Sequence, residues 1–254
     1  MNEPSATLAL AAVVRRLPPD GLRSIVDSLA RGELRSRALP AWLTMYVVLA
    51  MALNPGASYS QVTALVWRVL PRVVRCHLRD APPTPAAVVR ARARLGVEPL
   101  QCLVHQLSLE ALELYPPNEA VVLERVPLQR GSTASPPRLE QGSLWVLRAG
   151  DGDLLAVDLQ GDSIRAGVAL VQRASAASLQ FREVTARRRT HRDAGGVLEQ
   201  LHAALPGVTI EDAGVGHGTP EGIASRNPEL FAQEVLARAC IELLISTEMS
   251  RALP

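Results

Sequence analysis

Apolar residues recur every three or four positions through the first 115 or so residues, the spacing of one face of an α-helix. The pattern predicts a first helix over 5–17, stopped by Pro18-Pro19. Asp20 is placed to cap a second, whose stripe is Leu22, Ile25, Val26 and Leu29 and which Gly32 ends. A third, over about 40–53, is apolar all round and therefore belongs in the middle of a bundle. Ser58 opens a fourth over about 58–76, with Val62, Leu65, Val66 and Val69 inward and a kink or split at Pro71. In the rigid turn Ala81-Pro82-Pro83-Thr84-Pro85, Thr84 is a natural N-cap and Pro85 falls at the first helical position, where proline is tolerated. The helix it opens runs to about Leu95 and stops at Gly96. Glu98-Pro99 restarts a sixth helix to about Tyr115, with Leu100, Leu103, Leu107 and Ala111 inward.

The period changes after Tyr115-Pro116-Pro117-Asn118, which reads as a domain boundary. Ala120 to Leu128 reads as a strand, and 129–142, rich in Ser, Thr, Pro and Gly, as a loop or linker. Further short strands are expected at about 143–149, 153–159, 163–172, 179–187 and 207–212, with Asp151-Gly152 a hairpin turn and a helix at about 193–204. Asn227-Pro228 opens a last helix over about 228–247. The expected fold class is α+β: a helical bundle over 1–116, a strand and linker over 117–142, and a small mixed α/β domain over 143–254.

Composition changes this picture in three ways. Aromatics are 3% of the 254 residues, so the core must be built from Leu, Val, Ile and Ala. There is no Lys, so every basic side chain is an Arg, a planar fork suited to phosphates. The net charge of +2 hides an asymmetry: residues 1–117 carry 13 Arg against 8 acids, and 118–254 carry 14 Arg against 17 acids. A basic first half suits a polyanionic partner, and equally an ordinary solvated surface.

Other features narrow the class. Cys76, Cys102 and Cys240 are far apart and form no CxxC pair, so they read as free thiols rather than a disulfide framework or zinc site. The longest apolar run, Ala41 to Leu53, is shorter than the roughly 20 residues a membrane span needs. No signal peptide is visible, and a cytoplasmic location with no membrane partner is expected. Gly214-Val215-Gly216-His217-Gly218 lacks the register of a nucleotide loop, His105 reads as a partly buried helix residue, and Arg187-Arg188-Arg189-Thr190-His191-Arg192 reads as a basic turn.

The candidate chemistry is concentrated between Arg68 and Arg94, where seven Arg stand against one acid, Asp80. The helix at 84–95 is short, capped and preceded by a tight turn, as a helix that enters a DNA groove would be. Arg90 and Arg94 lie four apart on one face, Arg92 points elsewhere, and Val88, Ala91 and Leu95 can pack inward. The DNA-facing set is Thr84, Arg90, Arg92 and Arg94, with Arg75 and Arg79 as backbone contacts. Aromatic interleaving is absent, which favours duplex over single-stranded partners.

Two stretches carry a family resemblance. One is Leu39-Pro40-Ala41, Tyr46, Leu49-Ala50 and Ala52-Leu53, followed by Ala57-Ser58-Tyr59 and Val62. The other is Pro83-Thr84, Ala87, Ala91-Arg92-Ala93-Arg94-Leu95-Gly96 and Glu98-Pro99-Leu100. Together, over roughly 8–112, they resemble the N-terminal region of insertion element 4 transposases, which implies contact with a transposon end ahead of a catalytic core. Ser225-Arg226-Asn227-Pro228-Glu229-Leu230 with Gln233-Glu234-Val235 resembles that family's segment after its catalytic Glu. The resemblance implies a ribonuclease-H-like core in which two Asp and one Glu hold two metal ions. The sequence departs from it: Gln129 and Arg130 stand where the first Asp is expected, no Asp-Arg-Gly turn is present, and Glu211 lacks the flanking pattern.

The expectation is a transposase-derived duplex DNA-binding protein without catalytic activity, whose second domain is a remnant of that core. Two alternatives stay open. One is a minimal metal-dependent nuclease or strand-transfer enzyme, using Asp158, Glu211 and Glu234 with Mg2+. The other is a relic or interaction protein. No cofactor is expected outside the enzyme alternative, and no oligomeric state follows from the sequence.

Overall fold

The computed structural model describes, down to the side chains, residues 4–29, 39–71, 82–108, 110–111, 225, 227, 229–249 and 251–252. Seven helices contain most of them: α1 (Glu3–Arg16), α2 (Pro19–Ser28), α3 (Ala41–Leu53), α4 (Tyr59–Val69), α5 (Pro85–Leu95), α6 (Glu98–Leu114) and α7 (Pro228–Ala252). Contacts divide the chain into two compact units, residues 1–103 with 222–241, and residues 104–221 with 242–254.

Local chemistry explains the helix ends. Ser58 closes a capping box on α4: its hydroxyl accepts from the Gln61 N–H, while the Gln61 side chain accepts from the Ser58 N–H. The same helix ends at Val69 and does not run on to 76 as one element, because Leu70 precedes Pro71 and is extended, with ψ 138°. A following proline disfavours the helical conformation at the residue before it. Pro18, rather than Asp20, takes the N-cap position of α2. Asp20 sits in that helix's first turn and pairs with Arg23 at 2.9 Å. Asn227 caps α7 by accepting from the N–H groups of Glu229 and Leu230 at 3.0 and 3.2 Å.

The first unit is built around α3. Every residue from Trp42 to Ala50 is buried, as an all-round apolar helix requires. It packs against α1, α2, α4 and α5, and α4 also meets α1 and α5. Tyr46 is fully buried in this core, and its hydroxyl donates to the Leu17 carbonyl at the end of α1. Arg23 from α2 lies over the Trp42 ring, 4.7 Å from its centroid, and Trp42 meets Tyr46 edge to face at 6.2 Å. The hydroxyls of the buried Thr44 and Thr63 bond back to the Pro40 and Tyr59 carbonyls at 3.0 and 2.8 Å.

The α+β class is corrected. Of the residues described with their side chains, 83% are helical and none lies in a strand or sheet, so a mixed α/β domain is not supported. The expected strands at 120–128, 143–149, 153–159, 163–172, 179–187 and 207–212, and the helix at 193–204, fall outside those residues. The last helix, assigned in sequence to the mixed domain, instead contributes residues to the helical unit. Ala232 to Ala237 are all buried, a run longer than one turn, so that part of α7 is covered on every side.

Burial pushes the Tyr46 hydroxyl well above its ordinary value of 10.0, with Asp20 adding to the rise and Arg23 opposing it. Burial likewise raises the Cys240 thiol above 9.0. Both groups hold their protons in the folded state at pH values where the unfolded chain releases them. Their neutral burial therefore supports the fold below about pH 9 and loses ground as pH climbs, by up to about 1.4 kcal/mol per pH unit per group. With no Lys in the chain, few other groups titrate in that range. Urea denaturation at pH 8 and pH 11 should show a marked alkaline loss of stability, and Tyr46→Phe should flatten it between pH 10 and 11.

Candidate nucleic-acid interface

Helix α5 is short because its ends are chemically marked. Thr84 stands before it in an extended conformation, with its hydroxyl accepting from the Ala87 N–H at 3.3 Å, and Pro85 occupies the first turn. Gly96 ends it with φ +69°, a left-handed value that a side chain would oppose. Val88, Ala91 and Leu95 are buried, with exposures of 0%, 3% and 1%. Arg90 and Arg94 are exposed on the other side. The Arg94 guanidinium also reaches back to the Leu39 carbonyl at 3.5 Å, which leans it toward the start of α3.

Arg92 is different. It is fully buried, and each of its five N–H groups has an acceptor. Nε donates to Gln233 Oε1 at 3.1 Å. Nη1 donates to Tyr59 Oη at 2.8 Å and to Met51 Sδ at 3.7 Å. Nη2 donates to the Leu230 carbonyl at 2.8 Å and to Glu234 Oε1 at 2.9 Å. Glu234 is almost as buried, at 7% exposure, and the Ser225 hydroxyl donates to the same carboxylate oxygen. Gln233 answers from its other end: Nε2 donates to the Arg92 and Gly96 carbonyls, both at 2.8 Å, closing the C-terminal turn of α5. The charge is thus paired and every hydrogen of the guanidinium placed, the condition under which a buried arginine is tolerated.

Of the residues singled out in sequence, the structure brings Thr84, Arg90, Arg92 and Arg94 onto one helix and turns Arg92 to the inside. Burial removes Arg92 from any surface set. Its inward position has a sequence signal: Val88, Ala91, Arg92 and Leu95 follow the i, i+3, i+4, i+7 spacing of a core stripe, with an arginine in one slot. Its partners Tyr59, Leu230 and Gln233 had no such signal, since nothing local pairs them with a residue as much as 141 positions away. Glu234, a candidate metal ligand in the enzyme alternative, spends its carboxylate on Arg92 and Ser225. Arg75, Arg79, Asp158 and Glu211 lie outside the residues described with their side chains. Among the described residues, no group of three or more His, Cys, Asp or Glu could hold a metal ion. His105 is half-buried, and no described helix is long and apolar enough to cross a membrane.

The pattern that carries α3 through α6 is shared with a known family. Residues 7–105 match the family model described as insertion element 4 transposase N-terminal. The matched stretch begins within α1 and ends within α6, under half of the chain, and is similar to that N-terminal region. It contains Arg92, Tyr59 and Met51, while Ser225, Leu230, Gln233 and Glu234 lie beyond it. No curated protein matches the chain, and no solved structure does.

Removing the Glu234 carboxylate strands a buried cation. Glu234→Ala should therefore destabilise the full chain by about 3–5 kcal/mol in urea denaturation. The paired change Arg92→Met with Glu234→Leu, which removes both charges, should cost less than Glu234→Ala alone. A larger loss in the double variant would show that the ion pair is not what makes the single change costly.

Proposed function

We propose that the chain is a transposase-derived protein that binds duplex DNA through the outer face of α5, without cutting it. Arg90 and Arg94 supply the contacts on that face, Thr84 sets the start of the helix, and Arg75 and Arg79 add contacts to the phosphate backbone. The observation that carries the reading is the division of α5 into two sides. Val88, Ala91, Arg92 and Leu95 are locked inside, while two arginines one turn apart are exposed on a capped helix within a transposase-related region. Such a helix can present guanidinium forks to phosphates or to the O6 and N7 of guanine at no cost to the core. The basic balance of the first half adds the long-range attraction that brings a polyanion in. The reading of binding without cleavage rests on the missing Asp-Arg-Gly turn and on the engagement of Glu234 with Arg92.

The test is retention of duplexes from a random pool by the full chain across a salt series, with sequencing of what is held. Enrichment of one motif is expected, with affinity falling steeply in salt. Arg90→Ala with Arg94→Ala should lower affinity and reduce the slope of log K against log salt by about 2, near 0.9 for each phosphate no longer neutralised. Equal affinity and slope in that variant would remove α5 from the interface. Retention of nothing even at low salt would sink the DNA reading itself.

A further inference from the structure

We propose that Gln233 and Glu234, which lie beyond the matched family region, are positioning residues that set the rotation of α5 and hence the direction of Arg90 and Arg94. The inference rests on α5 being the DNA-facing helix. Arg92 lies two residues from each of those arginines, and two helical steps are about 200° around the axis. The side chain held inside is therefore nearly opposite the two exposed ones, and whatever fixes Arg92 fixes them.

Two kinds of contact fix it. Gln233 grips the α5 backbone directly, donating to the carbonyls of Arg92 and Gly96, and accepts from Arg92 Nε at the same time. Glu234 and the Leu230 carbonyl hold Nη2, so three residues within about one turn of α7 are joined to α5 through one side chain. The apolar contacts of Val88, Ala91 and Leu95 resist separation of α5 from the bundle and oppose rotation only weakly, because dispersion and burial are not directional. Directed hydrogen bonds supply the angular restraint. A turn of about 20° would carry a group at the rim of a helix about 10–12 Å across by about 2 Å. That displacement takes a guanidinium from hydrogen-bonding distance of a phosphate oxygen to beyond it.

A purely structural role and a positioning role predict different results in the full chain. Gln233→Met keeps the side-chain volume and removes the grip on both carbonyls. Glu234→Asp keeps the charge opposite Arg92 while shortening its reach, and serves if the first variant folds poorly. With either variant folded, as judged by its far-ultraviolet circular dichroism, positioning predicts about tenfold weaker binding to the duplex selected by the wild type. The salt slope should stay that of the wild type, because the same phosphates are neutralised once the helix is aligned; loss of Arg90 and Arg94 changes the slope instead. Amide hydrogen exchange should speed up in α5 while α2 and α3 keep their protection. Wild-type affinity in both variants would overturn the proposal. If the wild type retains no DNA, the reading of α5 as an interface falls, and exchange in α5 alone decides: faster exchange confined to that helix upholds the restraint, and unchanged exchange refutes it.

Discussion

A guanidinium in the middle of a protein imposes more conditions than any apolar residue. Arg92 has no access to water, so five N–H groups and one charge must be satisfied by the chain itself. The acceptors come from α3, α4 and α7: a thioether, a phenol, an amide, a backbone carbonyl and a carboxylate. Glu234 and Gln233 are tied in turn, the first by Ser225 and the second by the end of α5. Apolar packing around α3 gathers the helices, and this network specifies how they are turned. The division of α5 into an inner and an outer face follows from it, and so does the exposure of the two arginines that a polyanion would meet.

The same contacts change how the family match is understood. The matched region contains the arginine but not the carboxylate that neutralises it. The unit that holds α5 is assembled from residues 1–103 together with 222–241, so the matched stretch is only part of it. Sequence likeness traces one part of that unit, while charge balance in the core depends on the other.

The helices of the first part were legible because their signals are local. The all-round apolar run of α3, the Ser58–Gln61 box, the Thr84-Pro85 start and the Gly96 stop are each contained within a few residues and have direct counterparts in the structure. The end of α4 was legible only in part, since Pro71 marks it while the apolar pattern invites it further. What was not legible has a common cause. The inward turn of Arg92 is hidden by its charge, which suggests a surface residue, although its spacing with Val88 and Leu95 places it in the core stripe. The membership of α7 depends on pairings about 140 residues apart in sequence, and no periodicity reports those. The mixed-domain expectation rested on short strand-like runs between 120 and 212, which lie outside the residues described with their side chains, and on leaving the last helix with its sequence neighbours.

The distance between Arg92 and Glu234 along the chain, 142 residues, also sets a clock for synthesis. A ribosome adding about 5–20 residues per second makes the arginine roughly 7–30 s before its counter-charge exists. During that interval the nascent helices can collapse around α3, and the place that α7 will fill beside Arg92 is open to water. The hydrogen bonds that hold the direction of α5 form last, so the early bundle can carry that helix without its angular restraint.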